Sequence, residues 1–153
     1  MHVYGIVGRK NSGKTHLVTR LVSAAARRGL VVSTVKHAHH ALDVDQPGKD
    51  SWLHREAGAH EVIVASASRW ALLHELRGAP EPTLDELLAR LGPSDLVLVE
   101  GFKRGNHPKL EVYRADCGQP VDAVITRIDS AAHAVAACVP DSARKLRGRS
   151  GMA

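Results

Sequence analysis

Aromatic residues are scarce in this chain: one Phe, two Trp and two Tyr, 3% of 153 residues. Any core must therefore rest on Val, Leu, Ile and Ala. Cysteine is rarer still. Cys117 and Cys138 have no metal-type spacing, which argues against a cysteine-based zinc site, and we expect them to be free thiols rather than a disulfide. No apolar run is long enough to span a bilayer, so no membrane association is expected. The first residues read as a strand and not as a signal peptide, which makes a cytoplasmic protein the expectation. Basic patches interleaved with aromatics and DNA-reading motifs are also lacking. The formal net charge of +5 therefore suits anionic ligands without pointing to nucleic acid as a partner. No Ser-His-Asp or paired-carboxylate arrangement is visible in the spacing, although such sites assemble in space and this excludes little.

What is present is ordinary in bulk. Hydrophobic residues make up 44% and charged residues 24%, as in a globular protein. The length suggests one domain with a sizeable core. We expect that domain over residues 1–140. The basic stretch 141–153, with Arg144-Lys145-Leu146-Arg147-Gly148-Arg149, reads as a disordered tail.

Residues Gly8-Arg9-Lys10-Asn11-Ser12-Gly13-Lys14-Thr15 match the phosphate-loop pattern G-x-x-x-x-G-K-[ST] in full. The context agrees. Val3-Tyr4-Gly5-Ile6-Val7 before it reads as a buried strand. Leu17, Val18, Leu21, Val22 and Ala25 after it have helical spacing. In such a loop the backbone N–H groups of Gly8, Arg9, Asn11, Ser12 and Gly13 and the helix N-terminus cradle a polyphosphate. Lys14 reaches the β- and γ-phosphates, and the Thr15 hydroxyl binds Mg²⁺. The competing reading, a glycine turn that binds nothing, does not explain why both flanks agree.

Gly29 is a plausible helix stop, and Leu30 to Val35 reads as a second strand, completing a βαβ unit over residues 3–35. Lys36 to Lys49 is a long polar loop. A short helix over 52–57 and a strand over 61–65 follow. Ser68 to Leu76 is ambiguous, and we favour a strand. Thr83 and Glu86 form a capping-box pattern for a helix to Leu91. Asp95 to Glu100 is a strand with four consecutive apolar residues, as in a buried parallel sheet. Residues 110–114 and 121–126 read as further strands, and 130–138 as a short helix or strand. The pattern is an α/β P-loop NTPase fold. It is a mostly parallel sheet with flanking helices, with room for an antiparallel strand or hairpin.

Several residues beyond the phosphate loop invite chemistry. Val97-Leu98-Val99-Glu100 has the form of a Walker B strand, an apolar run ending in an acid that helps hold Mg²⁺ or polarises the attacking water. Glu100 is thus the candidate catalytic residue, against an ordinary strand-end carboxylate. The loop containing His37, His39, His40, Asp43 and Asp45 has three readings: a transition-metal site, a switch-like loop with Asp43 or Asp45 near Mg²⁺, or a polar surface loop. Pro47-Gly48-Lys49-Asp50-Ser51 before the short helix, and Lys103 and Lys109 after Glu100, are candidate anion contacts or solvated lysines. Thr126-Arg127-Ile128-Asp129 loosely matches a guanine-reading [N/T]-K-x-D element, with Arg in place of Lys. Thr126 and Asp129 are therefore candidate base contacts, against a plain turn.

These elements together resemble the MobB family of molybdopterin-guanine dinucleotide biosynthesis proteins. The resemblance is carried by Gly8 to Thr15, Thr34-Val35-Lys36-His37-Ala38-His39-His40, Asp43 to Ser51, His54-Arg55, Ala57-Gly58-Ala59, Leu98-Val99-Glu100-Gly101-Phe102-Lys103 and Pro108 to Val112. It covers residues 3 to about 129. It implies a P-loop α/β domain that forms a homodimer and binds GTP with Mg²⁺, with slow intrinsic hydrolysis. It implies an accessory adaptor that assists MobA, the guanylyltransferase that joins GMP to molybdopterin in making the guanine dinucleotide form of the molybdenum cofactor. Molybdopterin and molybdoenzyme apoproteins are further partners it suggests. By matching positions, Gly8 to Thr15 would hold the phosphates, and Thr15 and Glu100 the metal. The guanine element aligns only loosely.

Two other classes compete. A small-molecule kinase using ATP would carry an Arg-bearing lid, and the 36–50 loop has no arginine. A non-catalytic metal or nucleic-acid binder would use the histidine loop or the basic tail instead.

Overall fold

The structure, a computed structural model, describes residues 1–38 and 44–112. The expected strand at 121–126, the short helix or strand at 130–138, the tail, both cysteines, and His39, His40 and Asp43 lie outside the described residues. The chain divides into two compact units. One joins Met1–His37 to the residues from Leu84 onward, and the other is Ala38–Thr83.

The first unit is built on a four-stranded parallel sheet, β1 (His2–Val7), β2 (Val32–Lys36), β5 (Leu96–Glu100) and β6 (Lys109–Glu111), in the order β2-β5-β1-β6. The strands β1 and β2 are therefore not neighbours. β5 inserts between them, so the first βαβ unit spans a gap that a strand 60 residues downstream fills.

Strand alternation explains the continuous apolar run in β5. Leu98 packs with Ile6, Leu110 and α1 (Lys14–Ala26) through Leu17, Val18 and Leu21. Val97 and Val99 point the other way, joining Val35 and the partly buried Leu84, Leu87, Leu88 and Leu91 of α3 (Leu84–Ala89) and the turn after it. A strand covered by helices on both faces needs apolar residues at every position. Helix α1 presents Leu17, Val18, Leu21, Ala24 and Ala25 to the sheet, the spacing read from the sequence. It ends as expected, with Gly29 at φ 79° and its N–H bonded to the Ala26 carbonyl at 2.9 Å. The helix α3 ends at Ala89, two residues before the expected Leu91, and closes in tighter turns from Arg90 to Leu87 and Leu91 to Leu88.

The second unit holds α2 (Asp50–Glu56) and an antiparallel pair, β3 (Glu61–Ala65) and β4 (Trp70–His74). The ambiguous 68–76 segment is thus a strand, and the antiparallel addition is this hairpin. His74 and Glu61 pair across it at 2.7 Å. Arg77, at φ 46°, donates to the carbonyls of Arg55 and Ala59 at 3.1 and 2.9 Å, which ties the end of the hairpin to the end of α2. Among the described residues, no helix is long and apolar enough to cross a membrane.

Candidate functional site

The C-terminal ends of the parallel strands converge where β1 gives way to α1. After Val7 the chain turns through Gly8, whose φ of +144° disfavours other residues. A Cβ there would lie 2.4 Å from the Val112 carbonyl oxygen, because the end of β6 passes directly beneath the loop. Asn11 follows at φ 62°, a left-handed position that Asn tolerates. Gly13, at φ 95°, forms the N-cap of α1 with no side-chain capping bond, and a Cβ there would meet nothing within 4 Å. The backbone N–H groups of the first helical turn are thus left to other partners. The Ser12 hydroxyl is buried and has no hydrogen-bond partner. An open approach at Gly13, an unsatisfied hydroxyl at Ser12 and an uncapped helix N-terminus fit a polyphosphate ligand.

Alternation places Glu100 on the α1 face of β5, with Leu98 and Leu96, because Val97 and Val99 take the opposite face. Its carboxylate meets the loop there. The Thr15 hydroxyl donates to Glu100 Oε1 at 3.0 Å and lies 3.2 Å from Oε2. A hydroxyl and a carboxylate form a hard-oxygen pair, the donor set Mg²⁺ takes when phosphates and water complete its shell. Among the described residues, no group of three or more His, Cys, Asp or Glu side chains is placed to hold a metal by itself.

Lys14 folds over the loop, and its ammonium donates to the Arg9 carbonyl oxygen. Its pKa is held below the ordinary lysine value, first by burial and then by repulsion from Lys103 and Lys36, against the opposing attraction of Glu100. A cation whose charge is disfavoured in this way gains from an incoming anion.

Of the other residues singled out in the sequence, Lys109 does not serve the site. It is 1% exposed, on the α3 face of β6, and its ammonium donates to the carbonyls of Gly105 and, at 2.9 Å, His107. Strand alternation explains this: Leu110 takes the α1 side, so Lys109 faces away from the loop. Asp45 belongs to the second unit, where the Ser51 hydroxyl donates to its Oδ1 at 2.6 Å. Lys49 is the N-cap of α2, a helix of seven residues, beside a groove that also borders Ser51, His54 and Val62. Thr126 and Asp129 lie outside the described residues. One residue that sequence reasoning passed over is Lys36, which ends β2 in direct register with Glu100. Its position follows from strand pairing, which sequence spacing does not reveal.

A profile of the MobB family, described as molybdopterin guanine dinucleotide synthesis protein B, matches residues 3–138. The chain is 43% identical over 131 residues to the molybdopterin-guanine dinucleotide biosynthesis adapter protein of Escherichia coli K12, covering 84% of this chain and 74% of that protein. It is 42% identical over 120 residues to the protein of the same name from Haemophilus influenzae, covering 76% of this chain and 66% of the relative. Among solved structures, it is similar to Bacillus subtilis MobB, with a TM-score of 0.64 and 26% identity over 84% of this chain and 76% of that one. It is also similar to a MobB homologue from Bacillus stearothermophilus, with a TM-score of 0.55 and 35% identity over 74% of this chain and 65% of the other.

Proposed function

The chain belongs to the MobB family, and from that membership and the geometry of the loop we propose that it is a GTP-binding adaptor in the biosynthesis of molybdopterin-guanine dinucleotide. In this reading it acts as a homodimer beside MobA, the guanylyltransferase, and hydrolyses GTP slowly. The observation that carries the nucleotide reading is the contact between the Thr15 hydroxyl and the Glu100 carboxylate at the mouth of the phosphate loop.

Each residue has a physical role in this reading. The backbone amides after Gly8 and the Ser12 hydroxyl bind phosphate oxygens. Lys14 exchanges its bond to the Arg9 carbonyl for the β- and γ-phosphates, a stronger charge-assisted contact. Thr15 and Glu100 hold Mg²⁺, which when bound neutralises polyphosphate charge. Glu100, half-buried beside Lys14, also orients water by accepting a hydrogen bond from it at a carboxylate oxygen. A site assembled chiefly for holding phosphate suits an adaptor whose turnover is slow. Asp129 and Thr126 are the base contacts in this reading.

The test is competition of GTP against ATP for a fluorescent nucleotide on the purified chain with Mg²⁺. Preference for GTP, together with capture of MobA, supports the adaptor. Preference for ATP moves the assignment to a small-molecule kinase.

A further inference from the structure

We propose that Lys36 and Lys103 are γ-phosphate-binding residues that complete the nucleotide site from the Glu100 side and make it selective for the triphosphate over the diphosphate. The inference rests on the P-loop nucleotide reading given above and adds two residues to it.

The placement is topological first. Lys36 ends β2 and is paired in parallel register with Glu100. Residues in direct register on parallel neighbours project from the same face of a sheet. Val35, the residue before, packs on the α3 side with Val97 and Val99, so Lys36 takes the α1 side. That is the side on which Glu100 meets Thr15. Lys36 is exposed there, on a strand end that opens toward the loop.

Lys103 follows Glu100 by three residues, on the turn that leaves β5. The two strand ends are fastened together beneath it. The His37 N–H donates to the Glu100 carbonyl at 2.8 Å, and the His37 ring stacks on Phe102 at 4.7 Å between centroids. Phe102 itself holds a left-handed φ of 49°, which a non-glycine residue adopts at a cost. The strained residue lies between Glu100 and Lys103 and redirects the chain just before the lysine. Both Lys36 and Lys103 raise the electrostatic cost of charge on Lys14, so all three ammonium groups share one field.

Charge decides what this cluster receives. Among the described residues, Lys36, Lys103 and the Glu100 carboxylate all act on the Lys14 ammonium, and a cluster weighted toward cations favours a multiply charged anion. The direction along the ligand follows from the loop. Its amides take the inner phosphates, whereas Thr15 and Glu100 would hold a metal that neutralises charge toward the outer end of the polyphosphate. Lys36 and Lys103 flank Glu100, so they meet the γ end. Catalysis by such a site relies on fixed charge around the transferring phosphoryl group. These two lysines supply from within the chain the charge that an arginine finger supplies in other P-loop proteins.

The experiment measures GTP and GDP affinity in Mg²⁺ for the full chain and for Lys36→Gln, Lys103→Gln and the double variant. Thermal melts serve as a folding check. The expected result is a loss of about tenfold or more in GTP affinity for each single variant, with GDP affinity within about twofold of the parent. Lys14→Ala is the contrast, weakening both nucleotides. Equal losses for GTP and GDP, or no loss for either, would overturn the assignment of these lysines while leaving the nucleotide site standing. A parent chain that binds neither nucleotide would sink the underlying reading and this inference with it. Should a single variant melt early, Lys36→Arg and Lys103→Arg decide the matter, since retained charge must preserve the GTP preference.

Discussion

The hydroxyl of Thr15 and the carboxylate of Glu100, 85 positions apart in the chain, meet at 3.0 Å above the end of the parallel sheet. Neither residue is remarkable in its own element: Thr15 lies in the first turn of α1, and Glu100 is the last residue of β5. Their contact exists because β5 pairs directly with β1, with Ile6 opposite Glu100, so the strand end lies under the loop that leaves β1.

Removing either partner of this pair is expected to weaken the metal requirement and not the fold. Thr15→Ala and Glu100→Gln should each lower Mg²⁺-dependent nucleotide affinity by about tenfold or more. The double variant should lose little beyond the worse single one, because the two groups act on one ion. Nucleotide titrations at a series of Mg²⁺ concentrations test this. Additive losses would show that the two side chains act independently.

Lys14 trades stability for binding. Burial disfavours its charge, so Lys14→Met should keep or raise the melting temperature while reducing nucleotide affinity by about 100-fold. The same shift fixes a pH slope. The folded pKa lies below the ordinary 10.5, so as pH rises between the two values the unfolded chain holds the proton that the folded chain has released. Stability contributed by this group therefore rises with pH across that window. Denaturant melts of parent and variant should converge as pH rises toward 10.5 if this is right.

His107 should set part of the acid limit. Its pKa falls from 6.5 to about 4, through burial and then the neighbouring Lys109 cation, only partly offset by Asp85. The folded protein keeps the ring neutral, whereas the unfolded chain protonates it near 6.5. Stability from this group is complete above pH 6.5 and is lost progressively as pH falls toward 4. His107→Gln should flatten the stability profile in that interval, as measured by urea midpoints at pH 4.5 to 7.

Two loop glycines should respond unequally to a methyl group. Gly8→Ala forces a Cβ to 2.4 Å from the Val112 carbonyl oxygen, which is backbone and cannot yield cheaply, and to 2.9 Å from the Ser12 hydroxyl. Gly13→Ala meets no atom within 4 Å and carries only the penalty of its positive φ, about 1 kcal/mol. Gly8→Ala should therefore lower the unfolding free energy by about 1–3 kcal/mol more than Gly13→Ala. Equal melting temperatures for the two would contradict this account.

Much of the architecture was legible from local chemistry. The spacing of Leu17, Val18, Leu21 and Ala25 marked the buried face of α1, Gly29 marked its end, and the apolar run before Glu100 marked a strand covered on both sides. Each depends on near neighbours, and periodicity reports near neighbours well. The ambiguous 68–76 stretch was harder, because Trp70, Leu72 and Leu76 fit a strand while Trp70, Leu73 and Leu76 loosely fit a helix. Pairing with Glu61–Ala65 decided it. Lys109 shows the opposite failure. Its position after Glu100 suggested a surface cation, yet the parity of β6 buries it on the α3 side.

By itself, then, the chain determined the elements that depend on local order: the phosphate loop with its glycines, the helix that follows, and the acid-ended strand. These arise from backbone sterics, helix periodicity and the hydrogen-bonding capacity of a few side chains, all of which act over a handful of residues. Only the tertiary structure decided which strand ends meet. Inserting β5 between β1 and β2 sets Lys36 beside Glu100, brings Glu100 to Thr15 and turns Lys109 away. The reason is that register and strand order are chosen by burial of whole sheet faces, a property shared among segments distant in sequence.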